Sequence, residues 1–203
     1  MPSTRPSADQ VMQHLLEGNQ RFQAGEIVHP RRTPEDFRAL AAGQSPLAVI
    51  IGCADSRVTP EILFDCGIGE LFVVRIAGNY IAGAGASVKG SVEFAVAELG
   101  VPLIMILGHS QCGAIKAAIQ HIDDRAALPG ALNDLVNSIK PAVTASVNRP
   151  GELLDNAIAA NVRRGVTRLR SLRPVVAPAL KEGRVKIVGC TYDIETGKVT
   201  VLT

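Results

Sequence analysis

The chain has no tryptophan, and aromatic residues make up only 3% of its 203 positions. Its core must therefore come from Val, Ile, Leu and Ala, within an apolar share of 47%. That composition favours buried parallel strands covered by Ala-rich helices. An excess of one charge is lacking too: 21 Lys and Arg face 19 Asp and Glu. With no polybasic or polyacidic field, neither nucleic acid nor a membrane is expected as a partner. Four cysteines are too few to staple a domain of this size. No apolar run reaches the roughly 20 residues of a membrane span. Residues 1–10 (MPSTRPSADQ) lack the apolar centre of a signal peptide. The expectation is a soluble, cytoplasmic protein with reduced thiols. Disorder is excluded because the chain is apolar, with a mean hydropathy of +0.21, and weakly charged.

What is present alternates. Ser7-Ala8-Asp9-Gln10 fits a capping box and opens a helix carrying Val11, Leu15, Leu16 and Phe22, which ends near Gly25. Thr33-Pro34-Glu35-Asp36 starts a second helix. Four short apolar runs, 47–52, 71–75, 103–108 and 185–189, read as buried strands covered on both faces. Helical stripes lie between them: Val88, Val92, Ala95 and Leu99; Ile115, Ala118, Ile119 and Ile122; and a stretch over 150–172 with an Arg-rich tail. Thr196-Gly197-Lys198 turns into a last edge strand over 199–202, and loops are expected at 128–130 and 148–151. The fold class is α/β: a mostly parallel central sheet of four strands plus an antiparallel edge strand, flanked by helices. No repeat or linker divides the chain, so 1–203 reads as one domain. Residues 1–43 form a helical arm, packed on the chain itself or on a partner subunit, and 44–203 form the α/β core.

In such sheets ligands bind beyond the carboxyl ends of the strands. The first strand runs into Gly52-Cys53-Ala54-Asp55-Ser56-Arg57 and the third into Gly108-His109-Ser110-Gln111-Cys112-Gly113. Cys53, His109 and Cys112 offer two sulfurs and an imidazole, a zinc donor set that leaves a fourth position for water or for Asp55. The alternative is two buried packing cysteines and a satisfied loop histidine. Arg57, two residues after Asp55, can hold that carboxylate ionised and oriented, which a purely structural zinc site does not need. An ordinary strand-end ion pair is the plainer account of the same two residues.

Cys-x-Asp-x-Arg after one strand and His-x-x-Cys-Gly after a later one resemble the β-class carbonic anhydrases. The resemblance extends nearly end to end, through Gln44-x-Pro46, the run Gly69-Glu70-Leu71-Phe72-Val73-Val74-Arg75, and Tyr192-Asp193 with Thr196-Gly197-Lys198-Val199. It implies a zinc enzyme that reversibly hydrates carbon dioxide to bicarbonate and a proton. Cys53, His109 and Cys112 match its metal ligands, and Asp55 and Arg57 its catalytic dyad. Gln44 matches an amide that hydrogen-bonds a substrate oxygen, and the Gly113 backbone N–H falls where bicarbonate is held. Phe72, Ala77 and Phe94 fall where an apolar pocket takes carbon dioxide, with Phe94 standing where many members have Tyr. The resemblance also implies a homodimer or homotetramer whose amino-terminal helices embrace the partner. Two thiolates donate more charge to zinc than imidazoles do, so its water should be less acidic than in a three-histidine site. Some members have a closed state in which the carboxylate itself binds zinc, coupled to a bicarbonate-binding pocket that uses a Trp three residues before the first Cys. Ile50 stands there instead, so the open form is expected, with Asp55 paired to Arg57.

Other signals carry less. Gly83-Ala84-Gly85-Ala86 has the wrong glycine spacing for a dinucleotide loop and reads as a turn before a helix. Gly108-His109-Ser110 begins like a nucleophile elbow, but Cys112 takes the final Gly position. Cys66 and Cys190, the latter at a strand end, read as packing residues. His121 reads as lying on the exposed face of its helix, and no proton shuttle is evident. Two other functions fit the same residues: hydrolysis of carbonyl sulfide or carbon disulfide, and a non-catalytic zinc-stabilised binding module.

Overall fold

In the computed structural model, residues 5–123 and 127–203 are described; the first four residues of the amino-terminal segment lie outside them. The chain opens with α1 (Ala8–Ala24) and α2 (Pro34–Leu40), and both helices begin with complete capping boxes, on Ser7 and Thr33. Gly25 ends α1 in the left-handed conformation, φ 73°. There follow β1 (Ala48–Gly52), α3 (Pro60–Leu63), β2 (Leu71–Arg75), a 3-10 turn (Ala77–Asn79), α4 (Ala86–Ala97) and β3 (Leu103–His109). The second half holds α5 (Gly113–Gln120), α6 (Leu132–Thr144), α7 (Leu153–Arg170), α8 (Val176–Lys181), β4 (Lys186–Tyr192) and β5 (Val199–Val201).

The sheet runs β2-β1-β3-β4-β5, parallel except for β5, which pairs antiparallel with β4. Side-chain alternation divides the core between its two faces. Val49, Ile51, Ile104 and Ile106 point into one layer with Val92 of α4, Val162 and Val166 of α7 and Val176 of α8. Ala48, Ile50, Leu103 and Met105 point into the other, where Val11 and Leu15 of α1 meet Leu63 and Phe64. The arm's first helix thus packs on its own sheet, while α2 buries none of its residues. Gly18 makes the α1 approach possible, because a Cβ there would sit 1.9 Å from the Phe64 carbonyl oxygen.

Four details depart from the sequence expectation. Strand β2 is not covered on both faces: Leu71, Phe72 and Val73 are only half-buried, because β2 is the outermost strand of the sheet. Helix α6 was not expected. Pro141 inside it suggests a break, yet Val136, Ile139, Ala142 and Val143 recur at helical spacing and are buried. Cys190 lies within β4 rather than at a strand end, because that strand continues to Tyr192. His121 is half-buried where α5 ends, not on the helix's exposed face.

Chain order places the site. From β1 the chain moves to β2 on one side, then crosses back to β3 on the other. Connections leave in opposite directions at the boundary between β1 and β3, and it is there, beyond the strand ends, that sheets of this kind form their binding crevice. Gly52 pairs in register with Leu107, so Cys53 and His109 emerge beside each other at that boundary.

Candidate metal centre

Cys53, His109 and Cys112 are all buried, and their ligand atoms lie within 4.8 Å of one another. Cys53 leaves the end of β1, His109 is the last residue of β3, and Cys112 is the N-cap of α5. Gln111, between the last two, has φ 59°, a left-handed turn that costs a side-chain-bearing residue about 1–3 kcal/mol. That turn folds the short loop back, so that both its ligands reach Cys53.

The donors fit zinc on their own hydrogen bonding. The His109 Nδ1–H donates to the Ser110 carbonyl at 2.9 Å, which leaves Nε2 with its lone pair. That Nε2 is buried without a partner, an arrangement that costs stability unless a metal completes it. The Cys53 sulfur accepts the Gly78 amide at 3.2 Å and the Asp55 amide at 3.4 Å. The thiol of Cys112 donates to the same sulfur. These bonds, Cys112's foremost, draw the Cys53 proton off easily and push the Cys112 thiol up in turn. A buried, N–H-bonded thiolate beside an imidazole lone pair is a ready zinc donor set.

Asp55 is fixed beside this group. Arg57 grips it on both oxygens, Nε to Oδ1 at 2.9 Å and Nη2 to Oδ2 at 2.7 Å, and the Arg57 amide adds a bond of 3.0 Å to Oδ1. The guanidinium's hydrogen bonds hold the Asp55 carboxyl well below the usual carboxylate range, so it is an anion at any working pH.

Three supporting residues were not assigned roles from sequence. Arg75, the last residue of β2, donates to the carbonyls of Cys53 at 3.0 Å and Asp55 at 2.6 Å, pinning the backbone that carries the ligand and the carboxylate. Gly78, at φ 77°, turns its amide onto the Cys53 sulfur, and a Cβ there would lie 2.7 Å from Ile139 Cδ1. Asn161, buried on α7, donates to the Gly78 carbonyl at 2.9 Å and holds that turn. A charged residue closing an apolar strand is the only sequence trace any of them leaves.

The remaining candidates are spread more widely. Gly113 is the first residue of α5, and nothing lies within 4 Å of where its Cβ would be. Phe72 on β2 and Phe94 on α4 come together, ring centroids 6.4 Å apart, and Phe94 is 47% exposed. Ala77, in the 3-10 turn after β2, is half-buried. Gln44 sits in the exposed segment ahead of β1.

A family profile described as Carbonic anhydrase matches residues 48–199. Carbonic anhydrase 2 of Mycobacterium tuberculosis is 41% identical over 201 residues, covering 99% of this chain and 95% of that protein. The carbonic anhydrase of Mycolicibacterium smegmatis is 40% identical over 199 residues, covering 98% and 94%. Among solved structures, a Coccomyxa β-carbonic anhydrase in complex with acetazolamide superposes with a TM-score of 0.74 at 28% identity, over 93% of this chain and 84% of that one. One of two tetrameric β-carbonic anhydrases from Sordaria macrospora superposes with a TM-score of 0.73 at 26% identity, over 95% and 97%.

Proposed function

Because the chain belongs to the β-carbonic anhydrase family, and so catalyses the zinc-dependent, reversible hydration of carbon dioxide to bicarbonate, we propose that Cys53, His109 and Cys112 hold the metal and that Asp55 and Arg57 form the catalytic dyad. The observation that carries this reading is the doubly bonded Asp55–Arg57 pair set beside a buried group of three zinc donors.

Zinc in this position supplies a Lewis acid that makes water nucleophilic near neutral pH, a role for which carbonic anhydrase is itself the standard illustration. The protein's share is positional. Asp55, ionised, can only accept; it takes a hydrogen bond from the attacking water and aims that water's lone pair at the carbon of carbon dioxide. Arg57 keeps the carboxylate in that orientation and off the metal, which is the open form. Carbon dioxide is uncharged, and the paired rings of Phe72 and Phe94, with Ala77, offer it an apolar wall. Phe94 contributes no hydroxyl to that wall. The Gly113 amide, at the N-terminus of α5, donates to the bicarbonate anion, and no atom lies within 4 Å of where a side chain at Gly113 would begin. Gln44 serves a substrate oxygen with its side-chain amide.

Assembly belongs to the same proposal: the working unit is a cytoplasmic homo-oligomer, a dimer or a pair of dimers. Strand β2 offers an unpaired edge, and Ile62, Ile68 and Phe94 are between 44% and 49% exposed. Apolar side chains left open in one chain fit burial against a second copy. Sedimentation velocity should give a species of at least two chains, and a monomer at micromolar concentration would contradict the assembly. For the dyad, stopped-flow hydration of zinc-loaded Arg57→Ala should fall steeply with zinc content unchanged. Full activity in that variant would remove Asp55 and Arg57 from the mechanism.

A further inference from the structure

Among the described residues a second group of metal-capable side chains stands apart from the centre at the strand ends. His14 on α1, Cys66 in the turn after α3 and Glu70 just ahead of β2 bring their ligand atoms within 4.8 Å of one another, the same bound the first group meets. Cys66 is 1% exposed and Glu70 9%. The His14 Nε2 is buried and has no hydrogen-bond partner.

The segments that carry these residues are held together mostly by bonds made by other groups. Helix α1 lies against the backbone at Phe64, where Gly18 allows the contact. Asn19 Nδ2 donates to the Leu63 carbonyl at 3.1 Å, and Arg21 Nε donates to Asp65 Oδ2 at 2.7 Å. Glu70 Oε2 accepts the Gly67 amide at 2.6 Å, which sets the carboxylate plane, while Oε1 stands 3.9 Å from Arg31 Nε. The Cys66 thiol donates weakly to the Phe64 carbonyl at 3.5 Å. An imidazole nitrogen left unpaired in such a rigid pocket is a standing cost, and a cation would relieve it.

We propose that His14, Cys66 and Glu70 form a second, non-catalytic site for a zinc-class divalent ion, which clamps α1 to the turn ahead of β2. One nitrogen, one sulfur and one carboxylate make a zinc-type donor set with a fourth position left for water, whereas calcium and magnesium require oxygen ligands throughout. Thiolate and carboxylate together neutralise the ion. In the metal-free protein Cys66 stays a thiol, pushed up to about 12 by its burial and by the facing carboxylates of Glu70, Asp65 and Glu61, with Arg21 opposing. Binding therefore exchanges the Cys66 proton for the metal: the S–H bond breaks, the sulfur takes the ion, and the proton leaves to solvent. A pocket of about 500 Å³, lined by Arg32, Glu61, Ile62, Cys66, Ile68 and Leu71, reaches Cys66.

Cobalt(II) titration of metal-stripped protein tests the site independently of catalysis. The wild type should bind two ions per chain. Cys66→Ser and His14→Gln should each bind one and keep carbon dioxide hydration. Cys112→Ser should still bind one, with a thiolate-to-cobalt absorption band that the further change Cys66→Ser abolishes. A single ion per chain in the wild type, or two in Cys66→Ser or His14→Gln, would overturn the proposal. The wild-type count decides the matter even if a variant fails to fold. Loss of hydration with two ions still bound would count against the catalytic reading and leave this one standing.

Discussion

Cys53 and Cys66 are both almost wholly buried, yet their surroundings push their chemistry in opposite directions. The Cys53 sulfur is ringed by donors: the Cys112 thiol and the amides of Gly78 and Asp55. Burial first, and then the carboxylates of Glu70, Asp65 and Glu61, hold the Cys66 thiol up at about 12. Cys190, which has burial alone, also stands at about 12. Removal from water by itself raises a thiol, as at Cys190 and chiefly at Cys66; at Cys53 the hydrogen bonds aimed at the sulfur outweigh it. One region is built to hold a metal in readiness, and the other must be converted by one.

The comparison breaks most visibly at the first group. Cys112→Ser takes away one ligand and with it the donor that keeps Cys53 deprotonated; zinc analysis and stopped-flow assay should show the catalytic ion gone and hydration at background. Arg57→Ala leaves the ligands alone and frees Asp55 to rotate or reach the metal. Its kcat should fall by about 10²–10³-fold, the scale of lost positioning and proton-transfer geometry, and Arg57→Lys should not restore it, because an ammonium cannot grip both oxygens. Arg75→Ala acts one step further out, on the carbonyls of Cys53 and Asp55. About 10- to 100-fold should be lost in activity or zinc affinity, as for other outer-shell supports.

The second region is sharpened by a stability measurement. Burial opposes the ionisation of Asp65, but Arg21 and the amides of Val28 and His29 outweigh it, and its carboxyl titrates below the ordinary 3.8. A group with a depressed folded pKa stabilises the protein fully above its unfolded value, and that stability is lost as pH falls through the folded one. Asp65→Asn should cost about 2 kcal/mol in urea unfolding at pH 7, and the gap to wild type should narrow below pH 4. The smallest effect belongs to Cys190→Ala, a packing change of about 1 kcal/mol with hydration untouched.

Much of the frame was legible because its signals are local. Ser7 with Gln10, Thr33 with Pro34, and Gly25 mark helix ends by chemistry within a few residues, and the apolar runs that became β1 to β4 needed no knowledge of their neighbours. His109 and Cys112 share one loop, and Cys53 ends a strand, so a metal group could be read before the sheet order was known. Arg75, Gly78 and Asn161 could not be read as its supports, since each acts through a backbone group brought near only by folding. Helix α6 was hidden by Pro141, where burial of its apolar stripe outweighs a lost backbone bond. Nor does any spacing connect His14, Cys66 and Glu70; three separate segments meet there because Gly18 lets α1 approach Phe64.

The two margins of the sheet differ in a way that limits growth. At one margin β5 is three residues long and runs against its neighbour, which leaves little ladder for another chain to join. At the other, β2 has no further strand beside it among the described residues. A twofold pairing of β2 with its own copy would use up the one extendable margin of each chain, so the combined sheet would present only blunt ends. Edge-to-edge addition would then stop at two, and a fibre has no place to start.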